Sequence, residues 1–265
     1  MSQNLVDYQI DNHIATITMN QPKTLNAFST AMKVAMMEAL DKADDDTEVR
    51  VIILQGAGKN FSSGGDIGEM LENGLESEVL ADKLEFMLKE IAEVSLKLRA
   101  IHKPIIAKLE GAVAGAAMNL ALTCDFRVAA DNAKFVQAFV NIGLIPDAGG
   151  TYLLNQLIGA AKTTELVMLG DKLKAEDMGR LNLVNEVVSA DELDATVQAL
   201  ATRLSNLPGK ALASMKHMMN VHAFSGLNEA LDMEVHQQTM MAKTDDFKEG
   251  VTAFMEKRKP IYQGK

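Results

Sequence analysis

An α/β fold with parallel strand pairing, passing into an all-helical C-terminal region, is predicted by three features of the sequence. Short apolar runs of strand length alternate with helical-period segments through the first two thirds of the chain. Two glycine-rich turns fall between strands and helices. From about residue 191 the pattern is helical throughout. The division expected is a core over residues 1–190 and a helical region over 191–265 that serves oligomerisation.

The elements follow in order. Residues 5–19 alternate apolar and polar around Asp11-Asn12, which reads as a hairpin. Ser29 is a candidate N-cap for a helix over 29–44. Val51-Ile-Ile-Leu54 is a continuous apolar run, suited to a strand buried on both faces. A long amphipathic helix is predicted over 78–101 and stopped by His102-Lys-Pro104. Ile105–Leu109 and Phe126–Ala129 read as strands, with a helix over Gly115–Thr123 between them. Leu207-Pro208-Gly209 breaks the C-terminal region. Thr244 is a candidate cap for a last helix, with Asp245 and Asp246 complementing its dipole. No low-complexity segment or sequence repeat is evident.

Composition narrows the function. The 265 residues are 48% hydrophobic and 23% charged, an ordinary globular balance. A net charge of −10 argues against nucleic-acid binding, which needs a clustered basic surface. A single cysteine, Cys124, allows no internal disulfide and fits a reducing compartment. No leader-like N-terminus and no apolar run of about 18 residues is present, so a cytoplasmic protein without membrane association is expected. Seventeen methionines point to an adaptable apolar interior, compatible with an acyl pocket.

The glycine-rich segments are Asn60–Met70 and Gly111–Asn119. A turn that opens a helix aims free N–H groups at one point, and two such turns together can form an oxyanion hole. Each segment is equally readable as a tight turn for close packing. Asp147, between Pro146 and Ala148-Gly-Gly, reads either as a helix cap or as a carboxylate in an apolar pocket, where burial would raise its pKa. Other motifs fail. Gly56-Ala-Gly-Lys59 lacks phosphate-loop spacing, no GxGxxG or GxSxG occurs, and His13, His102, His217, His222 and His236 show no metal-ligand spacing.

One ordered set of motifs is specific. Asn20-Gln-Pro-Lys-Thr-Leu-Asn-Ala27 is followed by Phe61-Ser-Ser-Gly-Gly-Asp66, Gly111 through Cys124-Asp125, Ile145-Pro-Asp-Ala-Gly-Gly-Thr151 and Phe254-Met-Glu-Lys-Arg258. At these spacings the chain resembles the crotonase (enoyl-CoA hydratase/isomerase) superfamily along nearly its whole length. In its catalytic segment it resembles the phenylacetate-pathway-type enoyl-CoA isomerases. The resemblance implies a spiral of ββα repeats with a C-terminal helical trimerisation region, giving a homotrimer or homohexamer. It implies an acyl-CoA thioester substrate, with coenzyme A part of the substrate and no permanently bound cofactor or metal. Oxyanion-hole donors are implied at the Gly65 and Ala116 N–H groups. Binding of CoA and substrate is implied at Lys23, Thr24, Leu25, Ser63, Gly64, Asp66 and Ile67, and at Phe254 and Lys257 across a subunit boundary. Residues from about 70 to 90 should line the acyl pocket.

The departures from the family pattern decide the expected reaction. Hydratases of the family carry glutamates where this chain has Asn119 and Phe139. Neither can act as a base, so both are expected to shape the pocket. Asp147 matches the single catalytic aspartate of the isomerases. The resemblance therefore implies double-bond isomerisation of an enoyl-CoA through one carboxylate. The alternatives are hydration of a 2-enoyl-CoA using Asp147 or Glu69 with water, and a CoA-binding scaffold with weak catalysis.

Overall fold

The computed structural model describes residues 4–76 and 79–265. Residues 1–3 of the expected core and Glu78, the expected start of the long helix, lie outside the described residues.

The hairpin forms from β1 (Val6–Asp11) and β2 (Ile14–Met19), paired antiparallel with Asp11 opposite Ile14. Its two loop residues are Asn12 and His13, both at positive φ (49° and 67°), one residue later than the sequence suggested. Such a turn matches the right-handed twist of the flanking strands. Helix α1 (Thr30–Asp45) starts where expected, with the Ser29 side chain accepting the Met32 N–H at 3.2 Å. At the other end, the Lys103 ammonium donates to the carbonyls of Ala43, Asp44 and Asp46, satisfying C-terminal acceptors that have no partner within the helix.

β3 (Val51–Gly56) occupies the middle of a six-stranded sheet in the order β1-β2-β3-β4-β6-β9. Here β4 is Ile105–Leu109, β6 is Phe126–Ala130 and β9 is Glu186–Val188, and every pairing beyond the hairpin is parallel. Its side chains show why the run is apolar throughout. Ile52 and Leu54 enter the main core, whereas Val51 and Ile53 enter a second core on the opposite face. Each such buried side chain contributes about 1.5–3 kcal/mol.

A second, three-stranded sheet contains β5 (Ala112–Ala114), β7 (Lys134–Val136) and β8 (Lys172–Lys174). Consecutive strands thus go to different sheets: β4 to the large one and β5 to the small one, then β6 to the large and β7 to the small. A helix follows each pair, α4 (Ala116–Thr123) after the first and α5 (Gly150–Leu169) after the second. The segment after β3 repeats the plan. Ser62 bridges to Val113 in parallel, and α2 (Ile67–Met70) and α3 (Leu80–Ala100) follow. The ββα spiral is therefore present although no sequence repeat betrays it.

The remaining helices are α6 (Ala175–Arg180), α7 (Leu193–Ser205), α8 (Gly209–Ala223), α9 (Leu227–Met241) and α10 (Asp245–Met255). Leu193, Val197, Ala201 and Leu204 of α7 cover the second face of the large sheet. Thr244 caps α10 by accepting the Phe247 N–H at 3.1 Å. No described helix is long and apolar enough to cross a membrane.

Candidate active site

The two glycine-rich turns are brought together by backbone pairing. Ser62 donates its N–H to the Ala112 carbonyl, and Ala114 returns one to the Ser62 carbonyl. Gly64 is the closest point of approach: its φ is +92°, and a Cβ there would lie 2.6 Å from the Ala114 carbonyl oxygen. Only glycine fits that backbone and that gap. The buried Asn26 side chain joins a third segment, donating to the carbonyls of Ala57 and Asn60 and accepting the Gln21 N–H.

Gly65 follows this crossing, and Ala116 opens α4. The Phe28–Gly65 bridge uses the Phe28 and Asp66 N–H groups and leaves that of Gly65 out. Among the described residues, neither the Gly65 nor the Ala116 N–H has a hydrogen-bond partner. Both residues line one pocket, together with Ser63, Asp66, Ile67, Phe139 and Asp147. Met70, Leu84, Met87 and Leu88 supply its apolar wall, as expected of residues 70–90, apart from Ser77 and Glu78, which lie outside the described residues.

Asp147 does not cap a helix. One carboxylate oxygen, Oδ2, accepts from Gln238 Nε2 at 3.2 Å, and the other, Oδ1, is buried without a hydrogen-bond partner. The carboxylate that meets the start of α5 is Glu234, which accepts from the N–H groups of Gly149 (2.7 Å) and Thr151 (3.1 Å) and from the Thr151 hydroxyl (2.6 Å). Burial pushes the Asp147 carboxyl up to about 7, and the nearby Glu234 charge adds to the rise. The Gln238 bond and the Lys33 ammonium oppose it. Burial also raises Glu234.

Two expectations are corrected. Asn119 was expected to shape the pocket, but it stands behind the wall. It is fully buried, donates to the Asp147 carbonyl at 2.8 Å and accepts from Gln137 at 2.6 Å. A Cβ on Gly150 would lie 2.2 Å from its amide nitrogen, so the helix start is pressed onto it. Glu69, offered as a hydratase base, accepts the Thr30 N–H at 2.8 Å at the start of α1 and is not part of the pocket lining.

Thr24 and Leu25 adjoin the pocket through Ser63, whose hydroxyl donates to the Thr24 carbonyl at 3.0 Å and whose N–H donates to the Leu25 carbonyl, and Lys23 precedes them in the short turn Pro22–Thr24. Phe254 and Lys257 are exposed on and just beyond α10, outside this chain's pocket. Sequence reasoning missed Lys33, Gln238 and Glu234. Lys33 lines the pocket and is paired with Glu90 at 2.7 Å. Each was marked by a polar residue within an apolar helical stripe: Lys33 among Met32, Met36 and Leu40, and Glu234 and Gln238 after Leu227 and Leu231.

Two alternating sheets, helices wound around them and paired turns on an apolar pocket define an enzyme of the crotonase superfamily. The sequence profile of the enoyl-CoA hydratase/isomerase family matches residues 9–265, and the chain belongs to that family. It is 38% identical to the trans-2-decenoyl-[acyl-carrier-protein] isomerase of Streptococcus mutans, covering 97% of both chains. It is 34% identical to the 1,2-epoxyphenylacetyl-CoA isomerase of Escherichia coli K12, again covering 97% of both. The crystal structure of an enoyl-CoA hydratase from Mycobacterium avium subsp. paratuberculosis K-10 superposes with a TM-score of 0.88 at 30% identity, covering 98% of both chains.

Proposed function

We propose that the protein is an enoyl thioester isomerase that shifts a carbon–carbon double bond through Asp147 alone. The observation that carries this reading is the Asp147 carboxyl, buried at the pocket wall with Oδ1 unpartnered and its pKa raised to about 7. A base poised near neutrality both takes and returns a proton efficiently.

In the reaction, the thioester oxygen lies between the Gly65 and Ala116 N–H groups. Asp147 removes a proton from the carbon at one end of the three-carbon allylic unit. The electron pair moves through the π system onto the thioester oxygen, giving a dienolate. Asp147 then delivers a proton to the other end, the pair returns from oxygen, and the double bond has moved by one carbon. No atom is gained or lost. The two donors favour the enolate over the ground state, each worth roughly 3–4 kcal/mol of barrier. Phe139 packs against the Gly115 turn and keeps water from the dienolate. Phe139 and Asn119 offer no carboxylate at the two positions where the family's hydratases carry one, which weighs against hydration.

The carrier has a second reading. The relative at 38% identity is named for a thioester on acyl carrier protein, so a protein-borne acyl chain is a candidate substrate beside a CoA ester. The test is to supply purified protein with 3-enoyl-CoA, with 2-enoyl-CoA and with the matching carrier-protein esters. Bond migration supports the proposal and names the carrier; water addition without migration, or no turnover, sinks it.

A further inference from the structure

Helix α9 presents two polar side chains, one turn apart, to the segment that carries Asp147. Glu234 is 5% exposed and Gln238 1%. Burying a carboxylate and an amide is costly unless each finds partners. Glu234 spends its oxygens on the Gly149 and Thr151 donors and has no cationic partner among the described residues. Gln238 makes a single side-chain hydrogen bond, to Asp147 Oδ2, and its own Oε1 is unpartnered. Its amide thus contributes nothing to the fold that is not made through the acid.

We infer that Glu234 and Gln238 are positioning residues for Asp147: Gln238 pins Oδ2 and leaves Oδ1 as the one reactive oxygen, and Glu234 supplies a fixed negative charge that opposes Asp147's ionisation. The inference rests on Asp147 being the proton carrier proposed above. The other groups facing Asp147 fit this division. From α1 comes Lys33, its ammonium shared with Glu90 of α3 and with the Met87 carbonyl, and its pull on Asp147 is smaller than that of the Gln238 bond. From α4 comes the neutral Asn119, bonded to the Asp147 carbonyl and not to its carboxylate. Glu234 is held by neutral N–H and hydroxyl donors alone, and these oppose the rise that burial gives its carboxyl. With one oxygen pinned, the proton taken from one carbon stays on Oδ1 until it reaches the other, and solvent has little chance to replace it.

The test uses the full-length protein. Gln238→Met and Glu234→Gln are each compared with the parent in two measurements. One is the infrared titration of the Asp147 carboxyl, assigned by its loss in Asp147→Asn. The other is the fraction of C2 deuterium that a labelled enoyl-CoA retains at C4. Gln238→Met is expected to raise the Asp147 titration midpoint by on the order of one pH unit and to lower retention. Glu234→Gln is expected to lower the midpoint by a similar amount. Opposite shifts from one helix are not produced by general loosening of the pocket. Unmoved midpoints, or shifts in the same direction, overturn the inference. If Glu234→Gln does not fold, Gln238→Met decides alone, because the one side-chain hydrogen bond it removes is that to the acid: an unmoved midpoint with unchanged retention overturns the proposal. Asp147→Asn separates the two levels. If it abolishes exchange while Gln238→Met changes nothing, only the inference fails. If it exchanges at the parental rate, the isomerase reading fails and takes the inference with it.

Discussion

Asp147→Asn keeps the size of the side chain and removes the base. Isomerisation is expected to fall by roughly 10²–10⁴, while thioester binding persists, as deuterium exchange at C2 and C4 and a binding titration would show. The same variant reports on stability. Folded Asp147 holds its proton up to about pH 7, whereas the unfolded side chain releases it near 3.8. Between those values the folded state binds more protons, so this group's contribution falls as pH rises. Asp147→Asn should match the parent near pH 4 and exceed it by up to about 4 kcal/mol above pH 7, measured by denaturant melts at both pH values. Gly65→Pro removes a donor that no backbone pairing uses, and turnover should drop about 100-fold. Gly65→Ala is the control, because a Cβ there meets nothing within 4 Å and the N–H remains. Full activity in folded Gly65→Pro protein would remove Gly65 from the oxyanion hole. The glycine-rich turns and Asp147 were legible as single residues because each belongs to a local motif. Gln238 and Glu234 were not, since they meet Asp147 from about 90 residues away and only the packing of α9 brings them there.

Capping ties helix ends to the pocket walls. Thr244→Ala removes the acceptor for the Phe247 N–H and should cost about 1 kcal/mol, or roughly 2–4 °C in Tm. Phe247 and Val251 of α10 share a cluster with Phe139 and Leu144 of the pocket wall. The loss should therefore also weaken thioester binding, which calorimetry with and without ligand measures. Long helices with clear periods, α1, α3 and α10 among them, were readable within a residue or two. The second sheet was not. Its strands β5, β7 and β8 are three residues each, too short for a period of two to register.

The whole molecule exposes apolar side chains that its fold does not use. Met215, Met218 and Met219 on α8, Met168 and Leu169 at the end of α5, and Phe254 and Met255 on α10 are all more than half exposed. Patches of this kind mark interaction surfaces. We propose that they carry assembly into a trimer or hexamer, with Phe254 and Lys257 reaching a thioester in a neighbouring subunit. Sedimentation showing only monomer at micromolar concentration would refute this. The oligomerisation region was expected to begin at residue 191, but α7 is committed to the large sheet, so the proposed contacts are placed on α8, α10 and the end of α5.

The packing of α10 behind the pocket wall has a consequence in time. Phe247 and Val251 pack in one cluster with the pocket-wall residues Leu84, Met87, Leu88, Phe139 and Leu144, all of which precede them by a hundred residues or more. Domains fold as units and in the order of synthesis, at about 5–20 residues per second. For several seconds, then, a nascent chain carries both glycine-rich turns and Asp147 before the helix that backs Phe139 and Leu144 exists. The backing of the pocket wall therefore arrives late, with the segment on which the proposed subunit contacts also lie.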